Sequence, residues 1–325
     1  MGAMADILVI GSLNADLVVR AQRFPQPGET ISGEDLAIIP GGKGANQAVA
    51  AARQGAQVAM LGGVGSDSFG PTLVSNLQQN GVDTAHIHTY PFATGTAVIL
   101  VDANGQNSIV LSPGANARVT LADVDAFPMR DADTLLLQFE IPLETVLHAA
   151  RLGRQNGLRV ILNPAPARRF PASLLADVDI LVPNESELQA LTDFPVTDAN
   201  SADRAARLLL AQGAGIVVVT LGENGALLVT EKQTSHFPAF AVQVVDTTAA
   251  GDAFIGGLAA ALTRGHSLET AVRYGNACGA LAATKFGAQP SLPTREEVEL
   301  LISSQTPQAR SNLLAFRDGR KTPPP

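Results

Sequence analysis

Residues 135–162 read Leu-Leu-Leu-Gln-Phe-Glu-Ile-Pro-Leu-Glu-Thr-Val-Leu-His-Ala-Ala-Arg-Leu-Gly-Arg-Gln-Asn-Gly-Leu-Arg-Val-Ile-Leu. The apolar runs at Leu135–Gln138 and Arg159–Leu162 are continuous rather than alternating, the pattern of strands buried on both faces. Leu143–Gln155 between them has helical character and is closed by Asn156-Gly157, a helix stop. Strand, helix, strand in such a short span points to a parallel sheet with helices packed on it.

Working outward, the same grammar recurs. Strand-like runs stand at Asp6–Ile10, Val58–Leu61, Ile180–Val182, Ile216–Leu221 and Ala226–Val229. Helical segments stand at Ala45–Arg53, Ser68–Gln79, Asn184–Leu191 and Ala202–Gln212, and three more run from Gly251 to about Ser304. Two regions break the rhythm. Asp16–Ile39 and roughly Thr96–Leu111 are alternating and turn-rich, with no helix between strands, and Asn104-Gly105 is a hairpin signal. They read as an antiparallel flap on an α/β body. The tail from Thr306 to Pro325 is polar and Pro-rich and is expected to be disordered, although Leu313, Leu314 and Phe316 leave docking open.

Composition narrows the function classes. The 325 residues are 46% hydrophobic and 16% charged, ample for a real core, and aromatics are only 4%, so that core is aliphatic. Net charge is −8 with no long basic run, which argues against nucleic acid as a partner. One cysteine, Cys278, excludes an intramolecular disulfide and a cysteine-rich zinc site, and points weakly to a reducing compartment. No apolar run reaches the length of a membrane span, and Met1–Met4 lacks the character of a signal peptide. His86, His88, His148, His236 and His266 form no metal-ligand pattern, and Cys278 reads as core.

The loop after the first strand is Gly11-Ser-Leu-Asn14-Ala-Asp16, without the G-x-G-x-x-G of a dinucleotide site, and Gly42-Lys43 is followed by Gly44, not Ser or Thr, so no P-loop is present. The strongest site signal is Asp246-Thr-Thr-Ala-Ala-Gly-Asp252-Ala-Phe254. Small residues at 249–251 open a helix, whose free N–H groups and partial positive charge favour an anion. Asp252 in the first turn is placed to accept a proton from a hydroxyl beside that anion. The same segment reads equally as a tightly packed helix start. Gly41-Gly42-Lys43-Gly44-Ala45-Asn46 also opens a helix and suits close backbone approach to a polyol, or simply a turn. Asn14 and Asp16 lie past the carboxyl end of a strand, where open α/β sheets bind ligands, or form an Asx turn. Asn184 and Glu187 stand at a strand end and also fit a helix cap. Thr220–Gly225 is a turn suited to phosphate or nucleoside, or a plain hairpin, and Glu140 is a further strand-end carboxylate.

Taken in order and spacing, these motifs resemble the PfkB carbohydrate kinase family, in its ribokinase branch, from about Ile7 to Leu301. Both signatures are present, at Gly41–Asn46 and Asp246–Phe254, and Asn163-Pro-Ala-Pro-Ala167 and Gly287-Ala-Gln-Pro-Ser291 fit too. The resemblance implies a ribokinase-like three-layer α/β/α sandwich over residues 4–305. It would have a mainly parallel sheet, a small antiparallel lid from about 14–40 and 92–112, and a separate tail at 306–325. The implied reaction is ATP-dependent phosphorylation of D-ribose at O5. Asn14, Ala15, Asp16, Gly42, Lys43, Gly44, Ala45, Asn46 and Glu140 would hold the sugar. Asp252 would be the base, with Ala249, Ala250 and Gly251 forming the anion hole. Asn184, Thr220, Leu221, Gly222, Glu223, Asn224, Gly225 and Asn276 would contact ATP, and Glu187 would organise Mg2+. A K+ activator would sit at Asp246, Thr248, Ala282, Lys285, Gly287 and Ser291. A homodimer through the lid and a cytoplasmic location are also implied, without nucleic-acid or membrane partners. Ala249 departs from the family's usual Gly. Alternatives left open are a 2-deoxyribokinase, a nucleoside or pseudouridine kinase, a non-catalytic sensor on the same scaffold, and a hydride-transfer enzyme, the last disfavoured by the missing fingerprint.

Overall fold

A computed structural model describes residues 5–130 and 132–305. The tail at 306–325, residue 4 and Asp131 lie outside the described residues. The chain runs β1 (Ile7–Ile10), β2 (Asn14–Arg20), β3 (Ala37–Gly41), α1 (Lys43–Arg53), β4 (Val58–Gly65), α2 (Phe69–Gln79) and β5 (Val82–Tyr90). It continues through β6 (Gly95–Val101), β7 (Asn107–Ser112), α3 (Leu121–Ala126), β8 (Thr134–Leu137), α4 (Leu143–Gln155), β9 (Arg159–Leu162) and β10 (Ile180–Leu181). The last third holds α5 (Glu185–Thr192), α6 (Ala199–Ala211), β11 (Ile216–Thr220), β12 (Ala226–Val229), β13 (Thr234–Phe237), α7 (Ala250–Thr263), α8 (Leu268–Ala282) and α9 (Arg295–Ser304).

Nine strands form the main sheet in the order β13-β12-β11-β10-β9-β8-β1-β4-β5. Pairings from β11 to β5 are parallel, and β12 and β13 add antiparallel at one edge. Successive strand residues feed opposite cores, because strand side chains alternate. Ile7, Val9, Leu136, Ile161 and Val218 pack with α1, α7 and α8 on one face. Leu8, Ile10, Leu135, Leu137, Val160, Leu162 and Val217 pack with α4 and α6 on the other. This is the expected three-layer sandwich, and each such fully buried aliphatic side chain stabilises it by roughly 1.5–3 kcal/mol. Among the described residues no helix is long and apolar enough to cross a membrane.

The flap is a separate four-stranded sheet, β3-β2-β6-β7. Its outer pairings, β2–β3 and β6–β7, are antiparallel, and its central pair, β2–β6, is parallel. The parallel pair arises because β2 and β6 each leave the main sheet in the same direction, from neighbouring β1 and, through β4, β5. Asn104 and Gly105 turn the β6–β7 hairpin as read from sequence, with Gly105 at φ 78°.

The topology gathers polar residues at one edge. Strands β11, β10, β9, β8 and β1 are consecutive neighbours and parallel, so their carboxyl ends lie in a row. That row delivers Thr220, Asn184, Asn163, Gln138–Glu140 and Gly11–Asp16 to one rim, as expected for ligand sites of open α/β sheets.

Candidate active site

The first loop and α1 meet at van der Waals limits. Gly42 caps α1 at φ 89°, and a Cβ there would lie 2.7 Å from the Asn14 nitrogen. Gly41 leaves room for the Asp16 carboxylate, which a Cβ would strike at 2.1 Å. Glu140 Oε2 accepts from the Ser12 hydroxyl at 2.5 Å, from the Lys43 N–H at 3.1 Å and from the Asn14 amide at 3.4 Å. The glycine-rich turn, the Asn14-Ala15-Asp16 segment and Glu140 are thus one cluster. Ala15 and Ala45 are buried filler within it, and Gly44 donates its N–H to Ser12. Asp16 is buried, and that burial, with Glu140 and Asp252 nearby, pushes its pKa up to about 7.

Asp252 is also buried. Its Oδ2 accepts from Asn46 Nδ2 at 2.9 Å and its Oδ1 from Gln47 Nε2 at 3.0 Å. Gln47, wholly enclosed, is itself held by Gln138 Nε2 at 2.7 Å and contacts Asn163 Oδ1 at 3.3 Å. Asn46 Oδ1 is buried with no hydrogen-bond partner among the described residues. A lone buried acceptor beside a carboxylate is what a ligand hydroxyl would satisfy.

Ala249 precedes α7 in the left-handed region, φ 58° and ψ 9°. The Ala250 N–H turns back to Thr247 O, while the N–H groups of Gly251 and Asp252 find no partner among the described residues. Two free donors stand at the positive end of a 14-residue helix, an environment suited to an anion. A Cβ on Gly251 would meet nothing within 4 Å, so packing does not require glycine there. The space beside it is open to the cavity.

Two cavities join at this helix end. One of about 180 Å³ is lined by Lys43, Asn163, Asn184, Glu187, Thr220 and Asp252 among others. A larger one, about 960 Å³, runs outward past Gly222, Glu223, Gly225, Phe240, Ala250 and Asn276. A third cleft of about 250 Å³ lies between Asp16 and the inner face of the flap on one side and residues 244–248 and 286–288 on the other.

Several expected residues also make contacts that the sequence did not show. The Lys43 backbone binds Glu140, but its side chain lines the cavity of Asn184, Glu187 and Asp252. Burial works against its charge, and Asp252, Glu140 and Glu187 outweigh that and hold its pKa above the ordinary lysine value. Asn184 and Glu187 do form the capping box that the sequence also allowed, with Asn184 N to Glu187 Oε2 at 2.9 Å, and both line the same cavity. Burial raises the Glu187 pKa, with Asp252 adding to it, against the Asn184 N–H and Lys43. A carboxylate so placed gains from a nearby cation, which fits Mg2+. Leu221 is core, and Asn224 carries its backbone oxygen to His236, so the turn presents Thr220, Gly222, Glu223 and Gly225. Asn276 lines the large cavity but spends its Nδ2 on Phe237 O at 3.0 Å, pinning the cavity wall.

Asp246 Oδ1 accepts from Thr248 N–H and hydroxyl at 2.9 and 2.6 Å, and Oδ2 from Gly287 N–H at 2.9 Å. The loop before the anion hole is thereby tied to the loop at 287. Ser291 bonds Ala288 O, Ala282 O receives the Lys285 N–H, and Lys285 Nζ pairs with Glu297. The donors here are oxygens, which fits a hard monovalent cation. Among the described residues no cluster of three His, Cys, Asp or Glu forms. Cys278 is core, its thiol pKa raised by burial. Sequence reasoning missed Ser12, Gln47, Asn116 and Gln138, and gave Asn163 no role beyond its place in the Asn163–Ala167 stretch. They are isolated polar residues that meet their partners only through the fold.

A model of the pfkB family carbohydrate kinases matches residues 4–295. The chain is 44% identical over 294 residues to the ribokinase of Haemophilus influenzae, covering 90% of this chain and 96% of that protein. It is 41% identical over 302 residues to a deoxyribokinase of Salmonella typhi, covering 92% and 99%. The structure of Arabidopsis thaliana ribokinase complexed with ribose and ATP superposes with a TM-score of 0.85 at 34% identity, covering 92% of this chain and 98% of that one.

Proposed function

The chain belongs to the pfkB family of carbohydrate kinases, and from that premise we propose that it transfers the γ-phosphoryl group of ATP to O5 of D-ribose. The observation that carries the reading is the convergence of Asp252, the free N–H groups of Gly251 and Asp252, and the Asp16–Glu140 cluster at one sheet rim. Ribose lies under the flap with its hydroxyls toward Asn14, Asp16 and Glu140. Its 5-hydroxyl approaches Asp252, which Asn46 and Gln47 hold in place. ATP occupies the large cavity, its phosphates directed to the end of α7.

Transfer forms the O5–P bond, breaks the bond from the γ-phosphorus to the ADP oxygen, and leaves the O5 proton on Asp252. The transition state is loose, so positioning and charge neutralisation dominate and the proton moves late. The N–H groups at Gly251 and Asp252, with Lys43 facing the same cavity, neutralise the developing charge without reorganisation. Glu187 is the residue that would hold Mg2+, which when bound neutralises phosphate oxygens. Asp246, Thr248 and Ser291, with backbone oxygens near Ala282, Lys285 and Gly287, would hold K+, which when bound rigidifies the loop leading to Ala249. Equal rates in sodium-only and potassium buffers would count against that site.

The flap acts as a lid that excludes water from the sugar and limits ATP hydrolysis. Its outer face supports a homodimer. The register aligns Leu17 with Ile38 and Val98, and Val98 with Val110. Ile38, Val98 and Val110 are 54%, 44% and 67% exposed, an apolar sheet face left unpaired in one chain. ATP as co-substrate and a single buried thiol support a cytoplasmic location.

The Salmonella relative keeps 2-deoxyribose open as a second substrate. ADP release measured in parallel with D-ribose, 2-deoxyribose and nucleosides separates them. The reading requires the highest kcat/KM on ribose, and a higher value on any of the others replaces it.

A further inference from the structure

The structure assigns to Asn116 the role of a positioning residue that sets which end of the Asn14 amide faces the sugar. This rests on the reading of Asn14 as a ribose contact. Asn116 sits on a short turn, Gly114–Arg118, where the chain returns from β7 to the body, and it is only 1% exposed. Its side chain makes three hydrogen bonds. Oδ1 accepts the Leu13 N–H at 2.9 Å, and Nδ2 donates to Leu13 O at 3.0 Å and to Asn14 Oδ1 at 2.8 Å.

The direction of these bonds is not free. A backbone N–H can only donate, so Leu13 N fixes Oδ1 of Asn116 on its side, and Nδ2 must face Asn14. Asn14 must then turn its carbonyl oxygen toward Asn116. Its NH2 is left to face Glu140, whose Oε2 lies 3.4 Å away. The polarity runs in one line, from Leu13 N–H through Asn116 and Asn14 to Glu140. A sugar oxygen at this point meets a donor from Asn14 and an acceptor from Glu140, a pairing that suits a hydroxyl.

Three passages between body and lid also converge here. Leu13–Asn14 enters β2, Thr94–Gly95 enters β6, and β7 leaves through 113–116. A Cβ on Gly95 would lie 2.1 Å from Asn116 Nδ2 and 2.4 Å from Asn14 Oδ1, so the third strand is moulded around the same amide pair. Asn116 therefore orients the contact and anchors the lid root with one side chain, while touching no substrate.

The test is steady-state kinetics on Asn116→Asp, Asn116→Ser and Asn14→Ala, singly and combined. Asn116→Asp keeps the acceptor for Leu13 N–H but sets an oxygen against both Leu13 O and Asn14 Oδ1, and of these two only the Asn14 amide can turn away. The expected result is a KM for D-ribose raised roughly tenfold or more, as for one lost buried hydrogen bond and an unpaired polar group, with KM for ATP near the parent value. Asn116→Ser, which removes the amide and with it both its NH2 donor and its acceptor without adding charge, should act in the same direction. In the Asn14→Ala background, Asn116→Asp should add nothing to ribose KM, which a merely structural role would not predict. A parent-like ribose KM in both Asn116 variants, or full additivity with Asn14→Ala, overturns the assignment. An unchanged ribose KM in Asn14→Ala itself removes the premise that Asn14 binds ribose, and the assignment with it.

Discussion

The Gln47 amide donates to Oδ1 of Asp252 at 3.0 Å from a side chain wholly removed from solvent. The Asp252 carboxylate is thus gripped on both oxygens, Asn46 holding the other. Gln47→Leu should lower kcat by roughly 10- to 100-fold, the worth of one hydrogen bond to a charged group, with ribose KM little changed. Stability should fall by about 1–3 kcal/mol, since Gln138 Nε2 loses its acceptor. Kinetics and thermal melts check both, and an unaltered kcat would contradict the positioning role.

Asp16 gives a pH dependence of known sign. Its folded-state pKa of about 7 stands above the ordinary 3.8. Between those values the folded chain holds a proton the unfolded chain has released, so this group makes stability fall as pH rises through that window. Asp16→Asn should lack this fall and melt higher than the parent at pH 8. Ribose hydroxyls donate best to the ionised carboxylate, so parent KM for ribose should rise as pH drops below about 7. A ribose KM flat from pH 6 to 8 would contradict this.

Ala249 and Gly251 should respond in opposite ways to small changes. Ala249→Gly relieves a left-handed alanine, worth roughly 1–2 kcal/mol, less about 0.5–1 kcal/mol of glycine chain entropy, for a net gain of ~0–1.5 kcal/mol. Turnover should be retained. Gly251→Ala meets no protein atom, so melting should hold while KM for ATP rises or kcat falls. A destabilised but fully active Gly251→Ala would show that the open space is not a phosphate site.

The lid face makes an oligomer prediction. Val98→Glu places a charge among Leu17 and Val110 on the exposed outer face. Sedimentation should show the parent as a dimer and the variant as a monomer at the same concentration. A monomeric parent would remove the lid as an interface.

Much of this architecture was legible because fully buried parallel strands read as unbroken apolar runs, as in Leu135–Leu137 and Ile216–Val219. The Asp246–Phe254 segment was legible because small residues before a helical run leave N–H groups bare whatever they pack against. Other features had no local signature. The β2–β6 pair is parallel because of where β1 and β5 deliver the chain, and alternation alone carries no strand direction. Gln47 and Gln138 meet across 91 residues, and Asn116 meets Asn14 across 102, so neither pair forms a motif in sequence. Lys43 lines the cavity of Asn184, Glu187 and Asp252 although its backbone N–H is bonded to Glu140, a division no residue pattern encodes.

The most direct test compares D-ribose-dependent ADP release by the parent chain and by Asp252→Asn, with ribose binding measured on both. The account predicts ATP-dependent turnover of ribose by the parent, a loss of about 10²–10⁴-fold in Asp252→Asn, and ribose binding retained. Absence of ribose-dependent ADP release in the parent, or undiminished turnover in Asp252→Asn, would contradict it.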